Sequence, residues 1–255
     1  MAPLDPTTRF SDRVQDYARF RPGYPPKLVA AIARHCGKRR SLRVAEFGSG
    51  TGLFTRLLLD AGHEVFAVEP NEAMRKEAEA ELIDRPLFHS LHGTAEDSGL
   101  PAGHFDLVAA AQAFHWFEFE TARREFLRIL KPGGMVALVW NNRETKSTFG
   151  RGYERFLERH STDYAIVRAR GKSAEKMMRR FFGAQGYKVL KFPHSQHFGW
   201  DALWGRFLST SYSPKEGDPR RETARKALRE LFDRCARRGQ VAMRYRAEAF
   251  VGRPA

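Results

Sequence analysis

The feature that most constrains this chain is a strand-like run that enters three alternating glycines. Val44-Ala45-Glu46-Phe47 is apolar apart from one acid, and Gly48-Ser49-Gly50-Thr51-Gly52 follows directly before a helical stretch. Glycine at alternate positions frees the backbone for conformations closed to other residues and lets a ligand lie against the main chain. A helix that begins there also directs unpaired N–H groups at whatever the turn holds. The spacing departs from the G-x-G-x-x-G of dinucleotide binders, because Leu53 stands where their third glycine falls, so a ligand without a pyrophosphate is expected. The plain alternative is a tight turn that only joins strand to helix.

The surrounding pattern supplies the fold class. Short apolar runs at Leu42–Phe47, Glu64–Val68, Pro86–Leu91, Phe105–Ala110 and Gly134–Trp140 alternate with helical stretches near Gly52–Ala61, Glu72–Leu82 and Glu120–Leu130. Strand and helix in alternation predict a mostly parallel sheet with helices on both faces. After Trp140 the rhythm changes. Phe149–Arg159 and Ser173–Phe182 read as helices, Tyr187–Phe192 as a strand, a Trp-rich stretch as helix, Arg220–Arg238 as an amphipathic helix, and Gln240–Gly252 as a last edge strand. Before the first strand, Phe10–Phe20 and Lys27–Gly37 read as helices interrupted by Arg21-Pro22-Gly23-Tyr24-Pro25-Pro26. The expected organisation is one domain in three parts: an N-terminal lid (1–37), a ligand-binding core (38–142), and basic cap insertions plus the last two strands (143–255).

Two further elements sharpen the glycine turn. Strand two ends in Glu69, where a carboxylate in an open α/β sheet can accept from both hydroxyls of a ribose. Pro70-Asn71-Glu72-Ala73-Met74 then starts a helix, and Met74 is suited to lie against an adenine face. After strand three, Gly93-Thr94-Ala95-Glu96-Asp97 offers an acid to an adenine amino group, although a solvated charge near a helix start would read the same.

As a set these residues resemble a class I S-adenosylmethionine-dependent methyltransferase of Rossmann-like, seven-stranded fold. The resemblance covers roughly Arg43 to Trp140 and includes Glu46-x-Gly48-x-Gly50-x-Gly52, Glu69, Ala95-Glu96, Phe105-Asp106-Leu107-Val108 and Leu130-Lys131-Pro132-Gly133-Gly134. It implies that Glu46, Gly48, Ser49, Gly50 and Gly52 hold the methionine moiety of S-adenosylmethionine, Glu69 and Pro70 the ribose, and Met74, Thr94, Ala95 and Glu96 the adenine, with Gln112 beside them. S-adenosylhomocysteine would be the product, and no metal is expected.

The stretch after strand four, Ala113-Phe114-His115-Trp116-Phe117, lacks the Asn/Asp-Pro-Pro-aromatic motif of methyltransferases that act on base amino groups. It resembles instead the trans-aconitate methyltransferase-like branch, which esterifies carboxylates of small molecules. His115 is accordingly the catalytic candidate, as a base or a hydrogen-bond donor, with a structural histidine beside Trp116 as the alternative. Tyr17 and Arg21, in a segment resembling that branch's lid, are candidates for the cofactor carboxylate, to which an arginine fork is suited. Tyr24, Trp116, Trp140, Arg143, Trp200, Trp204 and Arg206 are candidates to line the acceptor pocket. A tryptophan pair four residues apart on a helix can equally glue a cap to a sheet.

Charge bears on partners. The formal net charge is +14, yet residues 1–140 hold 18 basic and 18 acidic side chains, so the whole excess lies in residues 141–255. Much of it falls on the 220–238 helix, where a solvated face accounts for it and nucleic acid is the alternative. A small acceptor is therefore expected, an anionic one where the basic cap meets it, with RNA methylation or non-catalytic cofactor binding as the rivals. The start shows no signal-peptide pattern and no apolar run approaches a membrane span, so a cytoplasmic protein is expected.

Overall fold

The computed structural model describes residues 14–37, 41–165 and 174–255. The expected starts of two helices, Phe10 and Ser173, and the core boundary at residue 38 lie outside the described residues. Seven strands, β1 (Arg43–Phe47), β2 (Glu64–Val68), β3 (Phe88–Leu91), β4 (Phe105–Ala111), β5 (Leu130–Arg143), β6 (Tyr187–Phe198) and β7 (Val241–Gly252), form one sheet in the order β3-β2-β1-β4-β5-β7-β6. The β3-β2-β1-β4-β5 pairs are all parallel, whereas β7 is antiparallel to both β5 and β6. The strand order reverses between β1 and β4, which opens a crevice at their carboxyl ends.

Both faces of the sheet are covered, and the strands are apolar on both sides for that reason. Ala45, Phe47, Val108, Ala110, Val136 and Leu138 point to one face, where Phe126 of α5 (Phe119–Ile129) and Phe181 of α7 (Ala174–Phe182) pack on them. The alternate residues Val44, Leu107, Ala109, Ala137 and Val139 meet α2 (Pro26–His35) and α3 (Leu53–Asp60) through Leu28, Ile32, Phe54 and Leu58. The helix ends are chemically marked. Asn71 caps α4 (Glu72–Leu82) by accepting from the Met74 N–H, and Ser147 caps α6 (Thr148–His160) by accepting from Gly150 N–H.

A third apolar cluster makes the cap. Tyr153, Phe156 and Leu157 of α6 pack with Leu203 and Phe207 of α8 (Trp200–Leu208), with Leu228, Leu231 and Phe232 of α9 (Arg220–Cys235), and with Met243 and Tyr245 of β7. The short helix α1 (Val14–Phe20) lies against α8, and a Cβ on Gly205 would stand 2.2 Å from the Phe20 ring.

Two strands are longer than the sequence predicts. The apolar run of strand six stops at Phe192, but β6 continues to Phe198 through Pro193, His194 and Gln196. A proline normally breaks a strand; here β6 is the sheet edge, where a missing N–H costs little, and Pro193 pairs with Arg246. β5 likewise begins at Leu130, opposite Phe105 of β4, and runs on to Arg143, carried there by its antiparallel partner β7.

Candidate functional site

The glycine turn is built by the end of β1. The Gly48 N–H donates to the Val68 carbonyl at 2.9 Å, which holds the turn against β2. Gly48 has φ of +64°, and a Cβ there would stand 2.5 Å from the Cβ of Ala113, so this turn is closed to a side chain twice over. Gly50 is different: at φ of +58° a Cβ would meet nothing within 4 Å. Its surface is open, as a backbone cradle for a ligand requires.

Two acids stand behind the turn. Glu46 is 1% exposed, and its Oε2 accepts from Thr55 Oγ1 at 2.7 Å. Burial, opposed by that hydrogen bond and reinforced by the charge of Glu69, pushes its carboxyl up to about 8. Glu69, also buried, joins the two loops: Oε2 accepts from the Gly50 N–H at 2.8 Å and Oε1 from the Asn71 N–H at 2.9 Å. Burial raises its pKa, and these two N–H donors work against the rise.

A cavity of about 480 Å³ opens beside the turn. Glu46, Gly48 and Ser49 contribute from β1, Gln112, His115 and Trp116 from the end of β4, Trp140 and Arg143 from β5, and Arg206 from α8. Tyr17, Arg21 and Tyr24 line it from the N-terminal segment. That segment is strapped to the end of β5 and to the cap. Asn141 Nδ2 donates to the Gly23 carbonyl at 2.9 Å, Arg21 Nη2 donates to the Ser209 carbonyl at 2.9 Å, and the Tyr24 ring packs edge-on against Phe54 at 5.0 Å. Gln112 has φ of +57°, a conformation that is costly for a residue with a side chain and that is found most often where a site demands it. Its N–H donates to the Val139 carbonyl, so β5 holds the strained turn in place.

The structure thus brings sixteen of the sequence candidates into two groups. Tyr17, Arg21, Tyr24, Glu46, Gly48, Ser49, Gln112, His115, Trp116, Trp140, Arg143 and Arg206 share the cavity. Gly50, Gly52, Glu69 and Pro70 belong to the two adjoining turns, and Met74 is buried on α4. Thr94 Oγ1 accepts from the N–H groups of Glu96 and Asp97, Ala95 is buried in the core, and Glu96 Oε1 accepts from the Glu118 N–H at 2.8 Å. Trp200 and Trp204 stand apart from the cavity lining. Their rings stack at 6.4 Å, Trp200 meets Phe232 at 5.9 Å, and the Arg229 guanidinium lies 5.2 Å from the Trp200 ring, so the pair joins α8 to α9.

Several lining residues carry no signal in the sequence. Glu154 Oε2 accepts from Arg143 Nη2 at 2.7 Å, and Tyr164 OH donates to Glu154 Oε1 at 2.6 Å. Tyr212, Tyr245 and Asn141 also line the cavity. Glu154 sits among the charged residues of an amphipathic helix, and only the packing of α6 against β7 turns it inward.

The strand order, the glycine turn and the acid at the end of β2 occur in one crevice, which is the architecture of the Rossmann-like methyltransferase fold. The comparisons agree. The family described as Methyltransferase domain matches residues 45–138. An uncharacterized methyltransferase of Mycobacterium tuberculosis is 38% identical over 146 residues, which are 56% of this chain and 56% of that protein. The chain thus spans little more than half the length of these curated relatives. An uncharacterized methyltransferase-like protein of Schizosaccharomyces pombe is 29% identical over 94% of this chain and 93% of its own length. The fold matches a putative type II methyltransferase from Anaeromyxobacter dehalogenans with a TM-score of 0.63 at 21% identity, over 91% of this chain and 97% of that one. The chain is thus similar to methyltransferases in sequence over residues 45–138 and in fold over 91% of its length. Among the described residues, no helix is long and apolar enough to cross a membrane.

Proposed function

We propose that this protein transfers a methyl group from S-adenosylmethionine to a carboxylate or hydroxyl oxygen of a small molecule, in the cytoplasm. The observation that carries this reading is the single cavity of about 480 Å³ that joins the glycine turn to His115 and Trp116 beneath the N-terminal strap. That volume suits a small acceptor beside a cofactor's methionine end.

The residues present fit the cofactor on three counts. Gly50 offers open backbone surface. Thr51 Oγ1, in the cavity wall, is a buried hydroxyl without a hydrogen-bond partner. Among the described residues Glu46 is a buried carboxyl that makes no ion pair, and the cofactor's ammonium would supply one. When bound, the cofactor supplies a methyl group on a sulfonium whose thioether is a ready leaving group. Glu46 and the glycine turn then hold its amino-acid end, and Glu69 presents acceptor oxygens to its ribose. The strap residues Arg21 and Tyr24 exclude water, and His115 orients the acceptor oxygen or takes its proton. A site of this kind works mainly by alignment. A base is needed only for an acceptor that must lose a proton.

Calorimetry with S-adenosylhomocysteine tests the cofactor, and failure to bind sinks the reading. Release of S-adenosylhomocysteine from S-adenosylmethionine across a panel of small acids and alcohols tests the transfer. His115→Ala is expected to lower turnover by about 10²-fold or more while sparing cofactor affinity; unchanged turnover would leave His115 a structural residue.

A further inference from the structure

The cavity's charge is unequally matched. Three arginines line it, Arg21, Arg143 and Arg206. Arg143 is answered by Glu154, with which it makes an ion pair at 2.7 Å, both side chains being largely buried. Arg206 is 5% exposed and, among the described residues, has no carboxylate partner. Its Nη1 reaches the Ser209 hydroxyl at a long 3.4 Å, the Tyr245 phenol hydrogen-bonds the guanidinium, and among the described residues its Nε is buried without a hydrogen-bond partner. The groups around it are the phenols of Tyr153, Tyr212 and Tyr245, which are neutral at physiological pH, and the like charge of Arg21. A charge so placed costs several kcal/mol unless something answers it.

Its location separates it from the cofactor's end of the cavity. Arg206 rises from α8, in the half built by the cap, with Tyr153 of α6 and Tyr245 of β7. Arg21 stands between the two halves, because its neighbours include Tyr17 and Tyr24 as well as Arg206. Glu46 stands with Tyr24 at the glycine-turn end of the cavity. Arg21 is therefore placed to meet the cofactor's carboxylate, and Arg206 to meet the acceptor.

We propose that Arg206 is the anchor for a carboxylate of the methyl acceptor, so that the acceptor is a carboxylic acid carried into the cavity as its anion. The inference rests on the methyltransferase reading and narrows it. A guanidinium fork matches a carboxylate bidentately, and the surrounding phenols can donate to the same oxygens. Arg143, already neutralised by Glu154, frames the pocket rather than calling for a second anion.

The test uses the full chain as wild type and Arg206→Met. Each is titrated calorimetrically with S-adenosylhomocysteine. Each is then titrated, with and without that ligand, with succinate, citrate, inorganic phosphate and the neutral diamide succinamide. Succinate or citrate is expected to bind the wild type and succinamide not to. Arg206→Met is expected to weaken the carboxylate by about 30-fold or more, as for truncation of one partner of a buried charge pair. Its affinity for S-adenosylhomocysteine should be unchanged, and its ligand-free Tm should equal or exceed that of the wild type, because an unanswered charge is gone. Equal binding of succinamide, tighter binding of phosphate, carboxylate binding that survives the substitution, or no carboxylate binding to the wild type overturns the proposal. So does loss of S-adenosylhomocysteine binding in the variant, which would give Arg206 to the cofactor. If the wild type fails to bind S-adenosylhomocysteine, the methyltransferase reading falls, and the carboxylate titration of ligand-free protein still decides the anchor. Should Arg206→Met not fold, Arg206→Lys takes its place: it keeps the charge, loses the fork, and is expected to weaken the carboxylate measurably.

Discussion

Replacing Glu46 by glutamine should stabilise the ligand-free protein in alkaline solution while weakening its hold on the cofactor. The reasoning starts from burial: Glu46 is 1% exposed and its pKa rises from the ordinary 4.5 to about 8. An acid raised in the folded state keeps its proton longer there than in the unfolded chain. Stability is therefore lost, not gained, as pH climbs from 4.5 towards 8. At 1.36 kcal/mol per pH unit the full penalty above pH 8 is about 5 kcal/mol, and at pH 7 it is about 3 kcal/mol. Glutamine never ionises, and its carbonyl oxygen can accept from Thr55 Oγ1 as Glu46 Oε2 does. Urea unfolding of both proteins between pH 5 and pH 9 is the assay. The wild-type curve should fall relative to the variant's across that window, with the two converging near pH 5. Cofactor binding supplies the complementary readout. At pH 7 the wild type should release about 0.9 proton on binding S-adenosylhomocysteine if the ligand's ammonium makes Glu46 ionise. Calorimetry in two buffers of different ionisation enthalpy measures this, and Glu46→Gln should release none. Parallel stability curves would refute the argument from burial, and equal proton release would refute the placement of the ammonium.

The other expectations concern geometry. Gly50→Val sets a β-branched residue at φ of +58°, with its side chain in the open cradle; about 1–2 kcal/mol of stability should go, and S-adenosylhomocysteine affinity should fall at least tenfold by calorimetry. Glu154→Ala leaves Arg143 buried without its carboxylate, for which about 3 kcal/mol of destabilisation in urea is expected, and Arg143→Met in the same chain should recover most of it. Gly205→Ala forces the Phe20 ring away from α8, so a loss of about 1–3 kcal/mol is expected, together with faster proteolysis of the strap near Arg21.

The parallel half of the fold was legible because its elements are locally consistent. β2 and α4 fall on the predicted Glu64–Val68 and Glu72–Leu82, since a strand apolar after its first residue and a helix with an Asn71 cap each declare themselves within a few residues. β6 did not declare its length: past Phe192 its pairing with β7 is a long-range fact, and an alternating polar edge containing Pro193 resembles a loop. The same divide runs through the site. The glycine turn, Glu69 and His115 are marked by short motifs. The partnership of Arg143 with Glu154 and Tyr164, and the want of a carboxylate beside Arg206 among the described residues, depend on which face of α6 and α8 the cap turns inward. Trp200 and Trp204, four residues apart, satisfy a pocket wall and a helix joint equally well as sequence; the packing of α9 makes them a joint.

The placement of β7 between β5 and β6 has a consequence for how the chain is made. Residues 241–252 fill an interior position of the sheet, pairing along β5 on one side and β6 on the other. During synthesis the parallel strands can form early, but the flank of β5 stays bare until residues 241–252 have left the ribosome. A bare strand flank is a template for wrong partners. The cap helices, synthesised in the interval, are therefore present when the final strand threads home, and cavity and sheet are completed in one late event.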